Sequence, residues 1–185
     1  MSEIIEGKWN KKLLDVSSSW KGLENYIDPI LDKYNSKRNL ALEFGVDYGY
    51  SLFVLSQIFD KVKGVDGFIG DEHCGRSQGD DFYRDTLNRF SNTPNVEIVR
   101  ALYQDYTPTD NNFYDFIHVD IVHLYKPTYE CTEWCVNHSN LVVLHDTCSF
   151  PDMNKVCIDI SKKYNLEYNS SITKYHGLGI LYRSS

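Results

Sequence analysis

The sequence predicts an α/β domain: a doubly wound sheet of seven strands, parallel except for one strand of a C-terminal antiparallel hairpin. Three observations predict it. Five short, nearly continuous apolar runs read as strands buried on both faces, which is the habit of parallel sheets. Helical stretches separate these runs, and alternating strand and helix builds a doubly wound domain. The last two runs, 166–173 and 178–182, are joined by only Lys174-Tyr175-His176-Gly177. A connection of that length cannot make a parallel crossover, so this pair is expected as a hairpin.

The elements follow in order. The first twenty residues are polar with isolated aromatics, Trp9 and Trp20, and are expected as an arm or lid. From Lys21 to Asn35 the apolar residues Leu23, Tyr26, Ile27, Ile30 and Leu31 keep helical spacing. The buried runs are Leu40 to Phe44, Val62 to Asp66, Val96 to Val99, Phe116 to Asp120 and Leu141 to Asp146. Helices are expected over Ser51 to Phe59, Asp80 to Phe90, Thr128 to Val136 and Met153 to Tyr164, the third of these with Pro127 at its first position. No repeat, low-complexity tract or linker interrupts the chain, and 1–185 reads as one domain.

Composition narrows the function. The 185 residues include 19 basic and 26 acidic side chains, for a net charge of −7. That balance argues against nucleic acid or an anionic membrane as the partner, since both need a basic footprint. No apolar run approaches the ~20 residues of a membrane span. The start, Met-Ser-Glu-Ile-Ile-Glu, lacks the basic and apolar regions of a signal peptide. With five cysteines, an odd number, reduced thiols and a cytoplasmic setting are expected. A small molecule is the expected partner, and a second copy of the chain is the other candidate.

The richest stretch is Leu42-Glu43-Phe44-Gly45-Val46-Asp47-Tyr48-Gly49-Tyr50-Ser51. Gly45 and Gly49 permit a sharp strand-to-helix turn and close approach of a ligand. Ser51 stands at the helix start, where free amides favour a carboxylate. Glu43 is a charge near the end of a buried strand and calls for a cation. The methionine part of S-adenosylmethionine (SAM) carries both groups, and Tyr48 belongs to the same expected cofactor-binding set. A capped turn with no ligand is the alternative. The spacing is not the G-x-G-x-x-G of nicotinamide binders.

Asp66 ends the second strand, where an acidic side chain can accept from ribose hydroxyls. Phe68 is expected to pack on an adenine, and Gln104 with Asp105 to bond its amino group. Asp120 and Asp146 close successive apolar runs and are expected on neighbouring strands, about 5 Å apart. Like charges so close call for a cation or proton between them, and Mg²⁺ suits oxygen donors. His123 can take a proton from a substrate hydroxyl, or can fasten its loop to Asp146. His145, alternating with Asp146 along the strand, is expected to point away from it. His118, inside the fourth strand, reads as a hydrogen-bonded core histidine.

These residues carry a resemblance. Leu42-Glu43-Phe44-Gly45 with Gly49-Tyr50-Ser51 is similar to the first motif of catechol O-methyltransferase and related small-molecule O-methyltransferases. Asp120-Ile121-Val122-His123-Leu124-Tyr125, followed by His145-Asp146-Thr147, resembles the Asp-x-x-His-x-Tyr and His-Asp-Thr motifs of the macrocin-type sugar O-methyltransferases. The resemblance runs in order from about residue 38 to 183. It implies the class I SAM-dependent methyltransferase fold, of which a closing antiparallel hairpin is the usual signature. It further implies SAM as cofactor and methyl transfer to an oxygen of a small molecule. It also implies metal at Asp120 and Asp146, with the third ligand directly after the second. There the family usually has Asn or Asp, and this chain has Thr147. Some relatives with the same sheet are hydroxylases of antibiotic precursors, so different chemistry on this fold, or a non-catalytic nucleoside-binding module, stays open as a rival.

The remaining motifs are weaker. Cys131 and Cys135 lie four apart on one helix, but no matching pair completes a zinc site. Cys74, in Asp71-Glu72-His73-Cys74-Gly75, sits in a polar loop where metal binding is not favoured. The loop from Gly67 to Gly79 exceeds the common connection of ~4–6 residues. With the N-terminal arm, it is the expected lid over the acceptor.

Overall fold

A computed structural model describes residues 3–70 and 78–184. Its sheet has seven strands in the order β3-β2-β1-β4-β5-β7-β6. They are β1 (Leu40–Phe44), β2 (Lys61–Asp66), β3 (Val96–Arg100), β4 (Phe116–Val119), β5 (Leu141–His145), β6 (Glu167–Ile172) and β7 (Leu178–Tyr182). The first five pair in parallel. β7 alone runs backwards, antiparallel to both β5 and β6. This is the expected doubly wound sheet with its reversed hairpin strand.

Helices cover both faces. α1 (Glu24–Lys33), α2 (Tyr50–Ser56) and α3 (Asp80–Arg89) lie on one side; α4 (Tyr103–Tyr106), α5 (Tyr125–His138) and α6 (Pro151–Tyr164) lie on the other. Strand alternation divides the core between them. On β5, Leu141 and Val143 join the first face, while Val142 and Leu144 join the second. β4 divides in the same way, with Phe116 opposite Ile117 and Val119. None of the described helices is long and apolar enough to cross a membrane.

Helix boundaries depart from the sequence reading in several places, and α2 stops at Ser56 rather than Phe59. α5 begins at Tyr125, so Pro127 is its third residue rather than its first. Proline is still tolerated there, because amides of the first turn have no partner within the helix. α4, a single turn after β3, has no periodic signal over four residues. α6 opens on Pro151 and closes on Asn165 in the left-handed region (φ 52°), so proline start and Asn stop both act as punctuation.

Candidate functional site

The central strands β1, β4 and β5 all end at the same edge, where the strand order reverses between β1 and β4. In open α/β sheets that crevice is where ligands bind. Here a cavity of about 710 Å³ opens beyond it, within the roughly 300–1,000 Å³ of small-molecule sites. Its walls come from the turn after β1, the segment after β2, α4, the loop after β4, Asp146, Phe150 and His176. Ser17 to Trp20 of the N-terminal arm line it as well.

The turn after β1 is fixed by backbone geometry. Gly45 adopts φ 88° and Gly49 φ 84°, which side chains resist. A Cβ on Gly45 would overlap the carbonyl of Asp120, and one on Gly49 would meet the ring of Phe90. Gly45 therefore lets β1 and β4 close together at the cavity floor, whereas Gly49 serves packing and does not line the cavity. Tyr48 and Ser51 do line it; Ser51 is the second residue of α2.

Asp66 has a role beyond the one expected. Its Oδ2 accepts from the amides of Val46 (2.8 Å) and Asp47 (3.0 Å), and its Oδ1 from that of Phe68 (2.6 Å). It lines the cavity while holding the turn in shape. A carboxylate offers about four lone-pair sites, so one direction remains for a ligand.

Besides Gly49, two expected cavity residues are elsewhere. Phe68 does not face an adenine site: at φ 51° it turns inward, fully buried against Phe82 and Tyr83. Ile69 and Leu102 take the wall instead, with Gln104 of α4 beside them. Glu43 is also not a cavity residue. It is fully buried beneath the floor, and its Oε1 accepts from His118 Nδ1 at 2.7 Å. Trp20 Nε1 donates to His118 Nε2 at 3.2 Å, so the single hydrogen of a neutral ring resides on Nδ1. The partner of Glu43 in the structure is thus His118, and burial pushes its carboxyl up.

Asp120 and Asp146 do come from neighbouring strands and meet at the edge. Asp146 adopts φ 63° just past β5, and this breaks the expected alternation with His145. His145 does not point away: its Nδ1 lies 3.0 Å from Asp120 Oδ2 and 3.5 Å from Asp146 Oδ2. Its Nε2 lies 3.0 Å from the carbonyl of Tyr175. Both ring nitrogens face acceptors, so His145 is an imidazolium. Burial pulls its pKa down, but the charge and hydrogen bond of Asp120 prevail and raise it to about 9. Burial works against ionisation of Asp120 too, yet His145 and His123 hold it well below the usual carboxylate range.

His123 Nε2 sits 2.9 Å from Asp146 Oδ2 and 3.5 Å from Asp120 Oδ1. Burial lowers its pKa, the two carboxylates outweigh that, and the result is about 9. Near neutrality the ring carries its proton and fastens the loop to Asp146, the form that donates rather than accepts. Thr147, the expected third ligand, follows Asp146 directly and is buried. Its methyl group faces Gly179 of β7, while His123 completes the trio. No other group of this kind occurs among the described residues. Cys131 and Cys135 are buried inside α5, and Cys74 lies outside the described residues.

Sequence reasoning missed Phe150 and His176. Phe150 stacks on His123 with centroids 4.1 Å apart. His176 places Nδ1 2.7 Å from Ser149 Oγ and 3.9 Å from Asp146 Oδ1. The second could have been found: a hairpin strand antiparallel to β5 must begin at the carboxyl edge, where Leu178 pairs with His145. The turn before it therefore belongs to the cavity rim.

Comparisons with known proteins agree with this architecture. A family profile described as a methyltransferase domain matches residues 42–147, more than half of the chain. No curated protein matches the sequence. Among solved structures, an SAH-bound methyltransferase of Podospora anserina superposes with a TM-score of 0.69 at 9% identity, over 92% of this chain and 80% of the other. An O-methyltransferase of Bacillus cereus in complex with SAH gives 0.63 at 15% identity, over 91% and 83%. Fibrillarin of Aeropyrum pernix with bound SAM gives 0.56 at 12% identity, over 80% and 67%. Identities this low establish a shared fold.

Proposed function

Since the chain belongs to the methyltransferase-domain family, we propose that it moves a methyl group from SAM to an oxygen of a small molecule. One observation carries the reading. The glycine turn and the Asp120–His123–Asp146 trio open into a single cavity, so a cofactor seated on the turn would aim its methyl at the trio. Gly45, Tyr48, Ser51 and Asp66 form the cofactor end, with Ile69, Leu102 and Gln104 for the base. The SAH bound by the Podospora and Bacillus relatives supports this assignment.

The reaction asks little covalent help of the protein. The acceptor oxygen bonds to the methyl carbon, and the carbon–sulfur bond breaks as the sulfonium becomes a neutral thioether. The hydroxyl proton is released to solvent. Positioning contributes most of the rate. Asp120 and Asp146 suit an acceptor hydroxyl, and Phe150, His176 and Ser17 to Trp20 would wall its body. The N-terminal arm thereby serves as the lid. His123, protonated between the carboxylates, orients them rather than acting as base. An Mg²⁺ there would be held by the carboxylate oxygens of Asp120 and Asp146, with Thr147 at the third position of the pattern, and it would supply Lewis acidity toward the acceptor hydroxyl.

The test is methyl transfer from labelled SAM across phenols, catechols and polyols, with amines and thiols alongside. O-methyl products are expected. Turnover only of amines or thiols would overturn the oxygen assignment, and no turnover with any acceptor would overturn the enzyme assignment.

A further inference from the structure

We propose that Trp20 is a positioning residue for the cofactor, latching the N-terminal arm to the glycine turn through a buried chain of side chains under the cavity floor. This rests on the reading of that turn as the SAM seat. It goes further by making arm closure and cofactor binding one coupled equilibrium.

The chain of contacts is continuous. Trp20 is 2% exposed, and its Nε1 donates to His118 Nε2 at 3.2 Å. His118 Nδ1 in turn donates to Glu43 Oε1 at 2.7 Å, and both residues are fully buried. The Ser51 hydroxyl stabilises the charge of the same carboxylate and lines the cavity. Arm, β4, β1 and the start of α2 are thereby joined. A second link runs beside the first. The Gly22 amide and the Tyr50 hydroxyl both donate to Glu24 Oε2, at 2.7 and 3.2 Å. Tyr50 follows the glycine turn directly and lines the cavity.

Such a chain is whole or broken. When the arm lifts, the indole leaves and His118 Nε2 stays behind without its donor, which is costly in a low-dielectric site. The outer arm is held only by surface contacts, Lys11 to the Gln57 carbonyl and Lys174 to Glu6, and exposed ion pairs contribute little. Trp20 is therefore the latch. Ser17 to Trp20 and the glycine turn wall the same cavity, so a cofactor on the turn meets the complete wall only when the arm is seated. A ligand shifts an equilibrium by its difference in affinity for the two states. Linkage then requires that releasing the arm weaken the cofactor in return.

The experiment is tryptic cleavage of the arm after the exposed Lys11 and Lys12, with and without saturating SAH, scored by mass against cleavage of the folded body. It uses the native chain and Trp20→Phe, which keeps an aromatic ring and removes the donor. In the native chain SAH is expected to slow arm cleavage at least about fivefold, the low end of coupling between sites. In Trp20→Phe the arm should be cut faster and SAH should no longer protect it. Calorimetry on the variant should give an SAH dissociation constant raised by a comparable factor. A tryptophan that only packs would lower the melting temperature and leave SAH affinity and arm protection as in the native chain. That result, or native arm cleavage indifferent to SAH, overturns the proposal. The native comparison stands even where the variant fails to fold. Absence of SAH binding to the native chain defeats the cofactor reading and this inference with it, whereas SAH binding with an unprotected arm defeats this inference alone.

Discussion

His145 reaches from β5 to Asp120 beyond the end of β4, Nδ1 to Oδ2 at 3.0 Å, while its other nitrogen holds the carbonyl of Tyr175. One buried imidazolium thus joins two neighbouring strand ends to the β6–β7 turn. His145→Ala removes the partner of a partly buried carboxylate, and a broken pair of that kind costs about 3 kcal/mol or more. Urea unfolding is expected to show that loss. His145→Gln, which can still donate to one of the two acceptors, is expected to lose less.

Glu43 separates structure from ligand binding. Burial raises its carboxyl, and a raised carboxyl favours the folded state most below its ordinary pKa. That contribution disappears as pH rises, because the folded protein must then ionise a buried group. Glu43→Gln keeps an acceptor for His118 Nδ1 and sets its amide near the Ser51 hydroxyl. The variant is therefore expected to gain stability relative to the native chain between pH 5 and 8. Thermal melts across that range check it. SAH affinity should be unchanged, since Glu43 lies under the cavity rather than in it.

Gly45 is expected to be intolerant. Gly45→Ala requires a side chain at φ 88° and sets its Cβ into the Asp120 carbonyl. Strain of about 1–3 kcal/mol comes in addition to separation of β1 from β4. The expected result is both a lower melting temperature and loss of SAH binding, read by calorimetry on the same sample.

Phe68 and Leu102 should divide cleanly between the two readouts. Phe68 is fully buried, so Phe68→Ala is expected to cost about 3–5 kcal/mol of stability. Leu102 is 41% exposed on the cavity wall, so Leu102→Ala should raise the SAH dissociation constant while leaving stability nearly intact. The reverse pattern would return Phe68 to the adenine site.

Local rules made the fold legible in the sequence. Burial on both faces and the four-residue hairpin connection are properties of short segments, and each strand falls within a residue or two of its expected ends. The site was legible as a set of strand-end residues but not as a set of contacts. Phe68 follows Asp66 by two residues, and only the left-handed backbone there decides that it turns inward. The same kind of turn at Asp146 brings His145 and Asp146 to one carboxylate, where strict alternation would separate them. Trp20 reaching His118 and the His176 turn reaching Asp146 join residues 98 and 30 positions apart, a matter of tertiary packing.

The most direct test of cofactor binding is calorimetric titration of the native chain with SAH, with NAD as the control ligand. Saturable binding of one SAH per chain, weakened by Leu102→Ala and abolished by Gly45→Ala, is the expected result. No heat with SAH or SAM at concentrations that saturate ordinary nucleoside sites would contradict the cavity's assignment as a cofactor site.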